Sequence, residues 1–376
     1  MRPEIYMTLS TRIRVGVLGT ALLLSLLTPP LQAATNFPAL ERAALQVRVP
    51  QRAVLLTAVT AGARIVAVGE RGLVLLSDDG GMNWRQAKQV PVSTTLTSVR
   101  FVDAKRGWAV GHAGVILHSD DGGETWSRQA DGQTLAKVAF DAAQQRARSA
   151  PTDDAAPARE LKAAQLLLDD GPDKPLLDLH FFDARHGFVV GSYNLFFETE
   201  DGGVTWKSAM GRLDNPKALH LYAIRVRGPV VFIVGEQGLM QRSLDSGRTF
   251  VALTSPYEGS WFSLAALSDG SWLVAGLRGN AYRSSDLGQS WQRIEGAAPV
   301  SFVSVVPLPD GGALLTNQAG QLLSSRAGAP LVNLELPSLP PLSDVLPLTD
   351  GALLAVGMAG AIRLPRPATP VSGAAR

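Results

Sequence analysis

Short apolar runs separated by turns repeat along most of the chain. Each run of four or five apolar residues ends in the pattern G-x-x-G or a close variant, and a second apolar run follows at once. Brief runs bounded by glycine are typical of β-strands, whereas a helix needs a longer segment with a period near 3.6. Seven copies occur, beginning at Gly69, Gly111, Gly191, Gly235, Gly276, Asn317 and Gly357.

The copies share one period. Their spacings are 42, 80, 44, 41, 41 and 40 residues, so a single period fits if the second interval carries about 38 additional residues. A period of roughly 40 residues matches one four-stranded blade of a β-propeller. Asparagine replaces a turn glycine at Asn194 and Asn317. Because asparagine tolerates positive φ better than other side chains, both positions are predicted to adopt it.

A second motif, S-x-D-x-G-x-T-W, begins five residues after the second turn position in the first five copies. Its Ser and Asp side chains can accept hydrogen bonds from backbone N–H groups, its glycine can adopt the left-handed conformation, and its aromatic residue can cover the hairpin. The motif therefore predicts a structural turn, and a catalytic role is not expected for its aspartates. These Asp-box residues are Asp79, Asp121, Asp201, Asp245 and Asp286.

Together the repeats predict an all-β, seven-bladed propeller with four-stranded antiparallel blades over residues 34–366. In the second copy, strands are expected over residues 96–102, 108–111, 115–119 and 125–128. Antiparallel order then places the Asp-box turns at one end of the propeller. The G-x-x-G turns and the links between blades lie at the other end.

The chain ends suggest how the ring closes. The seventh copy stops at Pro365 and Pro367 before a fourth strand, and a flexible tail is expected over 367–376. Residues 45–49 alternate with period two ahead of the first copy. We therefore expect this segment to supply the fourth strand of blade 7, which would remove an exposed sheet edge.

The additional residues between copies two and three differ in character. Residues 131–174 contain two stretches rich in Ala, Gln, Arg and Leu, separated by a segment with proline at each end. Leu135, Val138, Ala139 and Ala142 are spaced as on one face of a helix. A helical hairpin between blades 2 and 3 is predicted, either as a tolerated surface insertion or as an element that grips a partner.

The N-terminus resembles a secretory signal over residues 1–33, with a basic stretch, a 13-residue apolar run and a small residue before the expected cut. The alternative, a retained membrane anchor, is less favoured because the apolar run is short for a bilayer span. The leader carries the net charge of +2, so the remaining chain is near neutral and no nucleic-acid partner is expected. The chain has no cysteine, which excludes lipid attachment to cysteine and thiolate metal sites. A periplasmic location is predicted, with no integral membrane span after signal cleavage.

Candidate enzymatic chemistry is sparse. The five histidines have no metal-ligand spacing and no phosphate-binding loop is present, so no metal and no cofactor are expected. A glycoside hydrolase would need two carboxylates at matched height in the ring. Glu70 and Glu236 occupy equivalent turns and form the one pair that the sequence offers for this alternative.

A binding surface is the preferred hypothesis. Turns that share a backbone but differ in side chain would form a fixed frame with a specific polar surface. Arginine and tyrosine, which are common in interface hot spots, occur among them. The candidate partner-binding residues are Glu70, Arg71, His112, Tyr193, Glu236, Gln237 and Arg278.

The segment from Gly107 to Trp126, GWAVGHAGVILHSDDGGETW, resembles the repeat of photosystem II stability and assembly factors. These belong to the broader Asp-box, or BNR, propellers, which include sialidases, xyloglucanases and sortilin-type receptors. The resemblance implies a non-enzymatic, chaperone-like factor that holds a membrane or envelope protein during assembly. It leaves the client and the oligomeric state open. Similar repeats occur in non-photosynthetic bacteria, and this chain is expected to be of that type.

Overall fold

The computed structural model describes residues 37–151 and 155–366; the predicted leader and tail lie outside these residues. Within them, 27 strands form seven antiparallel sheets, each built from consecutive strands. Six sheets have four strands and the seventh has three. The prediction of an all-β, seven-bladed propeller is confirmed.

The strands follow one another from the inner to the outer edge of each blade. Blades 1 to 3 contain β1 Leu55–Ala61, β2 Arg64–Gly69, β3 Val74–Ser77, β4 Arg85–Gln86, β5 Leu96–Phe101, β6 Gly107–Gly111, β7 Ile116–Ser119, β8 Ser127–Ala130, β9 Leu176–Phe181, β10 Gly187–Gly191, β11 Phe196–Thr199 and β12 Lys207–Ser208. Blades 4 to 7 contain β13 Leu221–Arg227, β14 Val230–Gly235, β15 Met240–Ser243, β16 Val251–Ala252, β17 Trp261–Ala266, β18 Trp272–Gly276, β19 Ala281–Ser284, β20 Gln292–Arg293, β21 Phe302–Pro307, β22 Ala313–Asn317, β23 Leu322–Ser325, β24 Val332–Asn333, β25 Leu342–Pro347, β26 Leu353–Gly357 and β27 Gly360–Leu364.

The second strand of each blade is almost entirely buried. In blades 2, 3 and 5, every residue of β6, β10 and β18 is buried. Both faces of these strands pack against neighbouring blades, which explains why their sequences are continuous apolar runs without alternation. The Trp108 ring of blade 2, for example, stacks on the Phe181 ring of blade 3 with centroids 3.7 Å apart.

The predicted helical hairpin is present between blades 2 and 3. Helix α1 is a single turn, Pro38–Glu41, and the hairpin consists of α2 Gly132–Ser149 and α3 Ala156–Asp170. The Asp131 side chain caps α2 by accepting a hydrogen bond from the Thr134 N–H. The two helices pack on each other, and α2 also packs on β12, the outer strand of blade 3.

The predicted role of residues 45–49 is wrong. This segment forms no strand and lies beside blade 1, where the Gln86 amide donates to the Leu45 carbonyl (2.8 Å) and accepts from the Val47 N–H (3.1 Å). The Gln46 amide donates to the Ala87 carbonyl at 3.0 Å. Side-chain amides therefore take the place of a backbone ladder. The period-two alternation also fails to mark a buried face, because Leu45, Val47 and Val49 are all exposed.

Blade 7 closes the ring through side chains and packing. The Thr57 hydroxyl of blade 1 donates to the Asp344 carboxylate of blade 7 at 2.7 Å. Leu354 and Val356 of β26 share an apolar cluster with residues of blade 1. The Arg363 guanidinium donates to the Gly80 carbonyl at 3.0 Å. Among the residues that the structure describes, β27 has no fourth strand beside it.

Candidate protein-binding face

The G-x-x-G turns of blades 1 to 5 share one backbone conformation. Each forms a single 3-10 turn, and the five turns span Glu70–Gly72, His112–Gly114, Ser192–Asn194, Glu236–Gly238 and Leu277–Gly279. We call the end of the propeller that carries them the turn face. It holds all seven candidate partner-binding residues, of which five are exposed and the two glutamates are half-buried; these residues are Glu70, Arg71, His112, Tyr193, Glu236, Gln237 and Arg278.

The first turn glycine is needed for close approach. Gly69 has extended backbone with φ −168°, and a Cβ there would lie 2.0 Å from the Val54 carbonyl oxygen of the adjacent inner strand. Asn194, which replaces a second glycine, has φ 65° as predicted. Asn317 replaces a first glycine and does not adopt the predicted positive φ; its side chain instead accepts the Ala319 N–H at 3.0 Å.

The residue before the second glycine is held in a left-handed conformation although it is not glycine. Arg71, Tyr193, Gln237 and Arg278 have φ between 51° and 57°. Such strain costs on the order of 1–3 kcal/mol per residue and persists only where the surrounding structure imposes it. The strain at this position was not predicted from the sequence, because positive φ was assigned to the turn glycines instead.

The next blade fixes three of these strained turns. The N–H of Tyr193 donates to His220 Nδ1 at 3.1 Å. Equivalent bonds join the N–H of Gln237 to the Ser260 hydroxyl (3.4 Å) and the N–H of Arg278 to the Ser301 hydroxyl (3.2 Å). Blades 3 to 6 are thereby linked along the turn face, so its exposed side chains project from a constrained frame.

Glu70 and Glu236 support their own turns. The carboxylate of Glu70 accepts the Val54 N–H at 3.4 Å, and that of Glu236 accepts the equivalent His220 N–H at 3.2 Å. Both carboxylates of the pair that the hydrolase alternative requires therefore accept hydrogen bonds from backbone N–H groups.

A row of rings crosses the turn face from the hairpin towards the centre of the propeller. The Lys174 ammonium lies 5.1 Å from the Tyr193 ring centroid, and the Tyr193 and His220 centroids are 4.8 Å apart. Tyr222 follows at 6.1 Å from His220, and Phe262 at 5.2 Å from Tyr222. We call these four rings the aromatic track. It ends at the central channel, whose lining includes Tyr222 and Phe262.

The helical hairpin borders this face beside the outer end of the track. Helix α2 contacts the turn of blade 2, and a Cβ at Gly114 would lie 2.6 Å from the Cα of Gly132. Leu135 and Leu167 are buried at the base of the hairpin. Lys174, immediately after the hairpin, is the residue that reaches the Tyr193 ring. These contacts place the base of the hairpin beside the turn face, at blade 2.

The central channel has a volume of ≈270 Å³ and is lined by the seven inner strands. Each inner strand has a register shift near its start, and the residues directly after the shift form a ring that we call the girdle: Thr57, Ser98, Asp178, Ala223, Ser263, Ser304 and Asp344. Asp344 accepts from the hydroxyls of Thr57 (2.7 Å) and Ser304 (2.6 Å). The girdle was not predicted from the sequence. A signal for it exists, because in most copies a polar residue of the inner strand lies thirteen positions before the first residue of the turn.

Asp178 links three blades. It accepts hydrogen bonds from the Ser98 hydroxyl of blade 2 (3.0 Å) and from the Ile224 N–H (3.1 Å) and the Arg225 guanidinium of blade 4. Burial opposes its ionisation, but the charges of Arg225 and Arg100, together with the hydrogen bonds from Ile224 and Arg225, outweigh burial and lower the pKa of Asp178. Burial together with the same two arginines lowers the pKa of His180, on the same strand, to about 4.

The five Asp boxes share one hydrogen-bond pattern at the opposite end of the propeller. In blade 1, Ser77 donates to Asp79 at 2.9 Å, and Asp79 accepts the N–H groups of Met82 (3.1 Å) and Asn83 (2.9 Å). Bonds from the backbone and side chain of Asn83 lower the pKa of Asp79 to about 2. Asp121, Asp201, Asp245 and Asp286 make the equivalent contacts.

Over residues 37–151 and 155–366, no group of three or more His, Asp or Glu residues could hold a metal ion. In that same part of the chain, no helix is long and apolar enough to cross a bilayer.

Comparison with known proteins gives one consistent family. The family model described as "Photosynthesis system II assembly factor YCF48" matches residues 41–139 and 159–323, which is well over half of the chain and leaves out only the middle of the hairpin. The "Photosystem II assembly lipoprotein Ycf48" of Synechococcus sp. (strain CC9902) is 34% identical over 118 residues, covering 31% of this chain and 35% of the relative. The protein of the same name from Prochlorococcus marinus (strain MIT 9313) is 35% identical over 179 residues, covering 36% of this chain and 53% of the relative.

The chain thus spans about a third to a half of the length of these curated relatives. A solved structure described as "YCF48 bound to D1 peptide" superimposes with a TM-score of 0.60 over 86% of this chain and 95% of that chain. Its sequence identity is 17%, so this likeness shows the fold alone. Both curated relatives are named as assembly factors, in agreement with the expected binding or assembly factor. On the extent of the family match, the chain belongs to the photosynthesis system II assembly factor YCF48 family.

Proposed function

We propose that this protein is an exported, non-enzymatic assembly factor that holds a membrane or envelope protein against its turn face and helical hairpin. The aromatic track is the observation that carries the proposal. It places four rings and the Lys174 ammonium in one row, and Tyr193 at its outer end is half exposed. Aromatic side chains supply large contact areas at low entropic cost and dominate protein interfaces.

The constrained backbone supports the same conclusion. Three turns are fixed by bonds from the next blade, so binding would order little of the protein itself. A surface that is already ordered binds with a smaller entropic penalty. The candidate residues His112, Gln237 and Arg278 then contribute specificity around the track, while Glu70 and Glu236 hold their turns.

The relatives bear on client and location. Two of them are named photosystem II assembly lipoproteins, and the similar solved structure is described as binding a peptide of D1. From these relatives we carry over only the type of client, an envelope or membrane protein, and we leave its identity open. The predicted leader over residues 1–33 supports a periplasmic location.

Site-specific photo-crosslinking in living cells tests the proposal. A photoreactive amino acid replaces Tyr193 on the turn face or, as a matched control, Val204 at the Asp-box end, where the side chain is 78% exposed. We expect one envelope protein to crosslink to position 193 and not to position 204. The same envelope protein should crosslink to a photoreactive amino acid at position 278, and that crosslink should disappear when Tyr222→Ala and Phe262→Ala are introduced.

Two outcomes would contradict the proposal. One is equal crosslinking from positions 193 and 204, which would mean that the turn face has no preference for a partner. The other is glycoside turnover by the purified protein that Glu70→Gln or Glu236→Gln abolishes, which would establish the hydrolase alternative.

A further inference from the structure

An exposed apolar patch lies away from the aromatic track, at the edge of blade 1. Residues 42–53 cross the outside of this blade as a strap, and Leu45, Val47 and Val49 are 79%, 47% and 48% exposed. Isolated exposed aliphatic residues are common, but three within five residues form a patch. This patch borders a groove of ≈690 Å³.

The groove is built as a binding site would be. Leu45, Val47 and Ala53 of the strap form one wall, and the buried side chain of Leu73 forms the floor. The Ser93 side of the groove belongs to the link between blades 1 and 2. Its volume falls within the range of roughly 300–1,000 Å³ that is usual for ligand clefts.

The rim of the groove is basic. The guanidinium groups of Arg42 and Arg71 line it, and Arg48 and Arg52 lie on the same strap. None of these four arginines has an ion pair within the described residues. The one acidic residue of the lining, Glu70, is occupied by the Val54 N–H. Positive charge without a counter-charge favours an acidic ligand.

The strap also offers free backbone. It is attached to blade 1 through the N–H groups of Ala44 and Val47 and the carbonyl of Leu45. The N–H groups of Gln46, Arg48 and Val49 have no partner in the part of the chain that the structure describes. Exposed backbone groups without a partner can pair with the backbone of an added peptide.

We propose that the groove and strap bind an extended segment of a partner protein in which apolar residues alternate with acidic ones. Apolar side chains enter the groove over Leu73, acidic side chains face Arg42 and Arg71, and the peptide backbone bonds to the free strap groups. Concavity favours this ligand over a bilayer, because a flat lipid surface cannot fill a groove. The inference goes beyond the proposed function, since it requires no residue of the aromatic track.

Fluorescence anisotropy with synthetic peptides tests this proposal. The probe is a fluorescein-labelled nine-residue peptide that alternates valine with glutamate. Matched probes alternate serine with glutamate, or valine with lysine. We expect the first probe to bind the full chain at least about tenfold more tightly than either matched probe, because binding uses both the apolar wall and the basic rim.

Variants locate the site. Leu45→Ser should weaken binding of the valine–glutamate peptide about tenfold, and Arg71→Ala should weaken it several-fold and reduce its salt dependence. Val332→Ser is the control, since that valine is also an exposed aliphatic residue, at 49%, but lies on the outer strand of blade 6. Thermal unfolding should be unchanged in Leu45→Ser because the side chain is exposed. Amide exchange at Gln46 and Arg48 should slow when the peptide is bound.

Several results would overturn the proposal. One is that the serine–glutamate peptide binds as tightly as the valine–glutamate peptide, and another is that Leu45→Ser binds the valine–glutamate peptide as tightly as the unchanged protein. A third is that no peptide binds and the protein instead floats with phosphatidylglycerol vesicles in a way that depends on Leu45. Concentration-dependent self-association that Leu45→Ser abolishes would assign the groove to a second copy. Tyr193→Ala should leave peptide binding unchanged, so failure here and failure of the proposed client site are distinguishable.

Discussion

Replacing Asp178 by alanine should destabilise the whole propeller, because the Asp178 carboxylate joins three blades at the central channel. The change leaves the Ile224 N–H and the Ser98 hydroxyl without their acceptor, and it leaves the Arg225 guanidinium without its counter-charge beside Arg100. Breaking a buried ion pair by removing one partner costs about 3–5 kcal/mol, which includes the unsatisfied donors. The arginine side chains are 25% and 28% exposed, so water relieves part of the cost and we expect about 3–4 kcal/mol.

The assay is thermal unfolding followed by circular dichroism. An unfolding entropy of about 2.1 cal/mol/K per residue over the roughly 330 residues from 37 to 366 gives ~0.7 kcal/mol/K, so the midpoint should fall by about 4–6 °C. Asp120→Ala is the matched control, because the Asp120 side chain is 74% exposed and has one weak partner, His118 at 3.5 Å. A midpoint for Asp178→Ala within about 1 °C of that for Asp120→Ala would refute the role assigned to the girdle.

The remaining predictions concern the hairpin, a strained turn and His180. Leu135→Ala, at a buried position of α2, should lower the free energy of unfolding by about 2–4 kcal/mol. Leu166→Ala, at a half-exposed position of α3, should lower it by less than about 0.5 kcal/mol. Urea titration measures both variants, and equal losses of stability would mean that the hairpin is not packed on the propeller. At Gln237, with φ 51°, substitution by glycine should leave stability unchanged or raise it by up to about 1 kcal/mol, whereas valine should lower it by about 1–2 kcal/mol; the opposite order in thermal unfolding would contradict the strain assigned to this turn. The pKa of His180 is about 4 in the folded protein, so the unfolded chain binds the additional proton between pH 6.5 and 4 and stability falls as pH falls through that window. His180→Asn should flatten this dependence in thermal scans at pH 4 to 7, and an unchanged slope would exclude His180 as its source.

Local chemistry that repeats at a fixed offset could be predicted from the sequence. The G-x-x-G copies gave the blade count because each motif determines the backbone of one turn independently of its neighbours. Asn194 was predicted to have positive φ and does, since the conformation depends on a few adjacent atoms. The hairpin followed from helical spacing, which also depends on nearby residues.

Features that depend on contacts between blades could not be predicted in the same way. The alternation of residues 45–49 is typical of a strand, but two glutamine side chains hold the segment beside blade 1. The aromatic track joins Tyr193 of blade 3 to Phe262 of blade 5, which are far apart along the chain. Asp178 gave no motif because its partners, Ser98 and Arg225, lie 80 and 47 residues away.

The way the ring closes bears on how the chain is made. Each sheet consists of consecutive strands, and among the described residues no strand from the start of the chain completes the last blade. A polypeptide that is made from its N-terminus can therefore finish blade 1 before the residues of blade 7 arrive. No early strand would wait unpaired as a nucleus for aggregation. The last step, in which Asp344 reaches Thr57 and Arg363 reaches Gly80, is the docking of two finished surfaces.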